Sequence, residues 1–100
     1  MMKVMIKRNV PEGKEQEVVA LLTDLRTAAS KQPGYISGET LRSTEQADQL
    51  LVISIWEDEK DWHQWAMSDE RRALQAKVDA ITGSATIYER YVSPGMPHMD

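Results

Sequence analysis

The chain has 100 residues and a mass of 11.4 kDa, one domain's worth with no room for a second core. Leu, Ile and Val number 20 and Phe is absent, so the 41% apolar content makes a folded chain with a thin core, one that a partner chain would help complete. A net charge of −4 with scattered basic residues excludes nucleic acid as a partner, and the lack of cysteine excludes disulfides, thiolate metal sites and a thiol nucleophile.

Residues 2–10 alternate, with Val4, Ile6 and Arg8 on one side and Lys3, Met5, Lys7 and Asn9 on the other. That period of two predicts a strand, closed by Pro11-Glu12-Gly13. The period then changes. Val18, Leu21, Leu22, Leu25, Ala28 and Ala29 form one face of a helix over about 14–31. Glu15 and Glu17 suit its positive N-terminal end, Lys31 suits its negative C-terminal end, and Pro33-Gly34 stops it.

A second strand is expected over 35–43, a polar connection over 43–48, and a third, more apolar strand over 50–56. The acidic run Glu57 to Asp61 opens a short helix through about Met67. Ser68-Asp69-Glu70 starts another, with Ser68 as N-cap, continuing through Leu74, Val78 and Ile81 until Gly83. Residues 85–92 alternate as a fourth strand. The domain is therefore placed at 1–92, followed by a flexible tail over 93–100 with two prolines and no period. No stretch approaches ~18 consecutive apolar residues, and the start lacks the apolar block of a signal peptide. No membrane partner and a cytoplasmic setting are expected.

The order β-α-β-β-α-β, with its second helical region split, predicts an α+β fold on the ferredoxin-like plan, an antiparallel sheet with helices on one side. The third strand carries further information. Leu51, Ile53 and Ile55 lie on one face, and Leu50, Val52 and Trp56 on the other. A strand apolar on both faces is buried on both faces. The helices cover one, so the other calls for a second copy packed sheet to sheet, a homodimer with an apolar space between the sheets.

Lys3 to Gly13, Lys31-Gln-Pro-Gly-Tyr35, and Val52-Ile-Ser-Ile-Trp56 ahead of an acidic helix start set a recognisable order. Trp65-Ala-Met-Ser-Asp69 and Ile87-Tyr-Glu-Arg-Tyr91 complete it. Over residues 2 to about 92 the chain resembles the antibiotic biosynthesis monooxygenase domain family of small dimeric α/β barrels. The resemblance implies cofactor-free oxygenation of polycyclic phenols or quinols, haem degradation, or isomerisation of a small metabolite. The haem-degrading branch uses an Asn on the first strand, a Trp on the second helix and a His ten residues beyond that Trp. Trp65 matches here, but Arg8 stands at the strand position and Gln75 at the His position. The iron ligand is missing, and no cofactor is expected.

Three residues are candidates for chemistry. Arg8 is read as an anion clamp, since a fixed cation stabilises a phenolate or enolate; the plainer reading is a long cation snorkelling at a strand end. Trp65 is placed by the resemblance at the pocket mouth, where its indole N–H wants a polar partner. His63 is the single histidine inside the folded region and so a near-neutral acid or base, although a helix histidine beside Asp61 and Gln64 also reads as a solvated surface residue. Trp62 reads foremost as core and, with Tyr35, Tyr88 and Arg90, as a substrate contact. His98 falls in the tail. A metal site in Glu57 to Asp61 is not expected, because a helix N-terminus accounts for the acids there.

The leading expectation is a cofactor-independent monooxygenase acting on an aromatic or quinol substrate with O₂. A non-catalytic dimeric module that binds a small apolar metabolite is the alternative from a different class, and an isomerase in the same fold is a third.

Overall fold

The structure is a computed structural model and describes residues 1–95. His98 and residues 96–100 of the expected tail lie outside the described residues. In chain order the elements are β1 (Met2–Asn9), α1 (Glu15–Ala29), β2 (Tyr35–Arg42), β3 (Gln49–Trp56), α2 (Glu59–Ala66), α3 (Asp69–Thr82) and β4 (Ile87–Val92). The four strands form one antiparallel sheet in the order β2-β3-β1-β4. This is the ferredoxin-like plan read from the sequence, with boundaries moved by at most a few residues.

The local signals act as expected. Ser68 caps α3 by accepting from the Arg71 backbone N–H at 3.2 Å, and Asp58 caps α2 in the same way toward Lys60. Gly83 ends α3 with φ +65°, a left-handed conformation that a side chain would strain. On α1, Val18, Leu22, Leu25, Ala28 and Ala29 are buried. They meet Met2, Val4 and Ile6 of β1 with Leu50 and Trp56 of β3 in a single core, completed by Trp62, Trp65 and Val78 from the other helices.

Register fixes which side chains share a face. Ile6 pairs with Val52, Val4 with Ser54 and Arg8 with Leu50, all beneath the helices. Met5 pairs with Ile53 and Lys3 with Ile55 on the opposite face. There Leu51, Ile53, Ile55 and Met5 are only half-buried, flanked by exposed Leu41, Ile87 and Tyr91. No described element covers this face. Among the described residues, no helix is long and apolar enough to cross a membrane.

One irregularity redirects a side chain. Tyr35 pairs with Trp56 and Ser37 with Ile55, so Ile36 is an extra residue, a bulge. Strict alternation would place Tyr35 on the open face with Ser37 and Glu39. The bulge turns it to the helix side, where its ring meets Trp56 edge-on with centroids 5.3 Å apart.

Candidate active site

Between the sheet and the helices of the single chain lies a cavity of about 480 Å³ counting its open mouth. The sheet supplies Ile6, Arg8, Val52, Ser54 and Trp56 as its floor. Leu22, Leu25, Arg26 and Ala29 of α1, Trp62 and Trp65 of α2, and Arg71 of α3 close the other side. Tyr35, Gly38, Glu39 and Thr40 of β2 form the remaining wall. Ala29, Gly38 and Ser54 are small, and the layers do not fill at their positions. Gly38 also admits the Tyr35 hydroxyl, because a Cβ there would lie only 2.6 Å from that oxygen.

All three tryptophans line this space. Trp56 and Trp62 meet edge-on with centroids 5.9 Å apart, and Trp62 and Tyr88 lie 6.3 Å apart, so an aromatic series runs from β2 to β4. Trp56 donates its indole N–H to the Ser54 hydroxyl at 3.1 Å. Within this apolar surround sits a charged residue: Arg8 is only 3% exposed. Alternation along β1 directs it inward, toward Gln75 midway along α3.

Arg8 donates through Nη2 to the side-chain oxygen of Gln75 at 2.8 Å. The Gln75 amide in turn donates to Asp79 at 2.8 Å and to Thr86 at 3.2 Å. Among the described residues the Nε–H of Arg8 has no partner, although it is buried. An unmet buried donor is costly, and a ligand oxygen is the natural acceptor. Burial pushes the Arg8 pKa down from the ordinary arginine range to about 10, against partial support from Tyr88 and Asp79 and with added repulsion from Arg71. It remains a cation at neutral pH. Tyr35 shifts the other way: burial raises its phenol, with Arg26 opposing, so it stays a neutral donor.

Arg71 is the second buried cation. It donates through Nη2 to the Tyr88 hydroxyl at 2.7 Å and lies over the rings of Trp62 and Tyr88, 5.4 Å and 5.2 Å from their centroids. Cation–π contact with two rings fixes its plane.

Of the residues singled out in the sequence, Arg8, Trp65, Trp62 and Tyr35 come together in the cavity. Tyr88 joins through Arg71 rather than as lining. His63 and Arg90 are exposed and outside the lining; Arg90 pairs with Val4 on the helix side of the sheet, but on the edge strand β4, beyond the cavity. The cavity itself lies under the helices, whereas the sequence pointed to a space between two sheets. Sequence reasoning passed over Arg71 and took Gln75 only as a missing iron ligand. A signal was present: 71, 74, 75 and 78 form one helical stripe, and polar residues among Leu74 and Val78 mark a buried polar site.

A ferredoxin-like α+β domain with an aromatic, cation-bearing cavity between sheet and helices is the class that this geometry defines. The sequence profile of the antibiotic biosynthesis monooxygenase family matches residues 1–77, and the chain belongs to that family. A conserved protein from Methanosarcina mazei has a similar structure, with a TM-score of 0.83 and 23% identity over 90% of this chain and 89% of that one. SnoaB, a cofactor-independent oxygenase from Streptomyces nogalater, superposes with a TM-score of 0.79 at 14% identity, covering 96% of each chain. A 42.8 kDa protein in the whiE locus of Streptomyces coelicolor is 29% identical over 68 residues. That match takes in 68% of this chain but only 17% of the longer protein.

Proposed function

We propose that this protein is a cofactor-independent monooxygenase that oxygenates an electron-rich polycyclic phenol or quinol. The observation that carries the reading is the buried Arg8, which lines a cavity walled by three tryptophans and whose Nε–H has no partner among the described residues. Family membership and the likeness of fold to SnoaB support it.

The chemistry asks little of the protein. An ionised phenol is rich enough in electrons to pass one to O₂; the two radicals then combine at the ring carbon as a peroxide. Loss of water leaves a carbonyl on the ring and places one oxygen atom in the product, so the substrate supplies all the reducing electrons. The cavity excludes water, stacks the ring against Trp62 and Trp65, and holds the phenolate oxygen against Arg8. Tyr35, a neutral phenol at the opposite wall, donates a hydrogen bond to the developing peroxide.

The same reading includes a homodimer. Its support is the open sheet face, where Leu51, Ile53, Ile55 and Met5 are flanked by exposed Leu41, Ile87 and Tyr91. A second copy covers it sheet to sheet and leaves each cavity with its own protomer.

Oxygen uptake on a panel of anthrones and hydroquinones tests the proposal. The expected result is turnover above the spontaneous rate, unaffected by EDTA and without added flavin or nicotinamide, with one oxygen atom of labelled O₂ in the product by mass spectrometry. A panel showing no uptake above background, while a ligand still binds, overturns it in favour of a binding module.

A further inference from the structure

Of the three arginines that line the cavity, Arg8 and Arg71 are buried, and neither is paired with a carboxylate among the described residues. The nearest acid in their network, Asp79, is held one residue away by Gln75, which separates it from Arg8. Arg8 is 3% and Arg71 7% exposed, so water screens neither charge well. Burial foremost, and the like charge of Arg71 in smaller part, lowers the pKa of Arg8. Buried cations are normally paired. These two are left for something else.

The donors also outnumber the acceptors. Arg8 Nε–H has no partner, and the Ser54 hydroxyl, which accepts from Trp56, donates to no described residue. Arg71 spends Nη2 on Tyr88, and its plane is fixed by two rings, so its other N–H groups form an edge of set orientation. Such an edge matches the two oxygens of a carboxylate better than a single oxygen. Because the walls are aromatic, the anion arrives attached to an arene rather than as a free inorganic ion.

We propose that the substrate is an aromatic hydroxy acid, with its phenolic oxygen at Arg8 and its carboxylate at Arg71. This deepens the oxygenation reading and rests on it for the phenolic half alone. A carboxylate at Arg71 offsets the charge that otherwise opposes Arg8, and it orients the ring so that the hydroxyl reaches the orphan Nε–H. Arg71 is thus a specificity residue, while Arg8 meets the reacting oxygen.

Titration calorimetry under nitrogen, with 3-hydroxy-2-naphthoate and 2-naphthol as probes, tests the assignment without any oxygen chemistry. The hydroxy acid is expected to bind about tenfold or more tighter than the naphthol, the scale of a charge-assisted pair. The preference is expected to fall to near unity in Arg71→Met and to be partly kept in Arg71→Lys. Equal binding of the two probes to the wild type, or a preference that survives in Arg71→Met, overturns the proposal. A thermal-shift comparison of the two probes on the wild type alone keeps the test decisive if Arg71→Met does not fold. Equal binding of the two probes to the wild type, with oxygen uptake from neutral anthrones intact, sinks this inference only. Tight carboxylate binding with no oxygen uptake from any substrate sinks the oxygenation reading and sustains the anion site.

Discussion

Arg8 on β1 and Gln75 on α3 are 67 residues apart in sequence and joined by a 2.8 Å hydrogen bond at the floor of the cavity. Gln75 is anchored at its other end by Asp79 and Thr86, so it holds the guanidinium in one orientation, with its Nε–H left without a partner among the described residues. The amide supplies a neutral acceptor where a carboxylate would cancel the charge. Gln75→Leu is expected to strip that acceptor and cost about 1–3 kcal/mol, the scale for leaving a buried donor unmet. Calorimetric melting then falls by several degrees, roughly 4–8 °C per kcal/mol for a domain of this size, and turnover falls with it. Unchanged melting would show that the bond contributes nothing.

Removing the charge itself is expected to act in the opposite sense on stability. Arg8→Met replaces a poorly satisfied buried cation with an apolar side chain of similar length, a change that is commonly neutral or stabilising. Its melting temperature is expected to hold or rise while oxygen uptake drops roughly 10²-fold, the loss typical of one oxyanion donor. A sharp fall in melting temperature would make Arg8 structural instead.

The pH dependence follows from the same residue. Burial lowers the folded-state pKa to about 10, below the ordinary arginine value, so the folded chain holds this proton less tightly than the unfolded chain. The resulting penalty on folding is fully present well below pH 10 and is relieved as pH rises above 10 toward the unfolded-state value. Arg8 is predominantly a cation from pH 6 to 9. Turnover is expected to rise across that range as the substrate phenol ionises, then to bend down near pH 10 as the cation is lost. A bell with its descending limb near neutrality, measured by oxygen uptake, would implicate another group.

The contact residues divide by placement. Trp65 is 4% exposed and lines the cavity, whereas His63 two positions earlier is exposed and outside it. Trp65→Phe is expected to raise KM more than it lowers kcat, because the ring shapes the site without touching the transferred charge. His63→Ala is expected to leave both constants unchanged. A large kcat effect at His63 would reverse the assignment.

Assembly is open to a single substitution. Ile53 lies in the middle of β3, paired with Met5 and Glu39 on the uncovered face. Ile53→Glu is expected to give a monomer or an unfolded chain by light scattering, while the wild type runs as a dimer burying on the order of 2,000 Å² or more. A wild-type monomer that is stable at micromolar concentration would remove the sheet-to-sheet interface.

Much of the fold was written locally. Alternation in residues 2–9 placed Val4, Ile6 and Arg8 on one face before any packing was known, and the spacing of Val18, Leu22 and Leu25 defined the buried stripe of α1. Ser68 and Gly83 marked the two ends of α3 by chemistry that acts within a turn. The two-sided apolarity of β3 announced an uncovered face. Each of these depends on neighbours within a few residues, where periodicity and capping are fixed by backbone geometry.

The site was legible only in part, since its parts come from segments far apart in sequence. Arg8 and Trp65 could be named from their positions, but nothing near Arg8 in the chain says that Gln75 would meet it or that no carboxylate would. Tyr35 reached the cavity through the bulge at Ile36, which breaks the alternation that sequence reading relies upon. The cavity exists because small residues from α1, β2 and β3, namely Ala29, Gly38 and Ser54, meet where larger ones would have closed the gap. Which residues face one another across two packed layers is set by register and helix placement together. Local sequence determines the elements and their faces; only tertiary packing decided that the two buried cations would share one aromatic cavity.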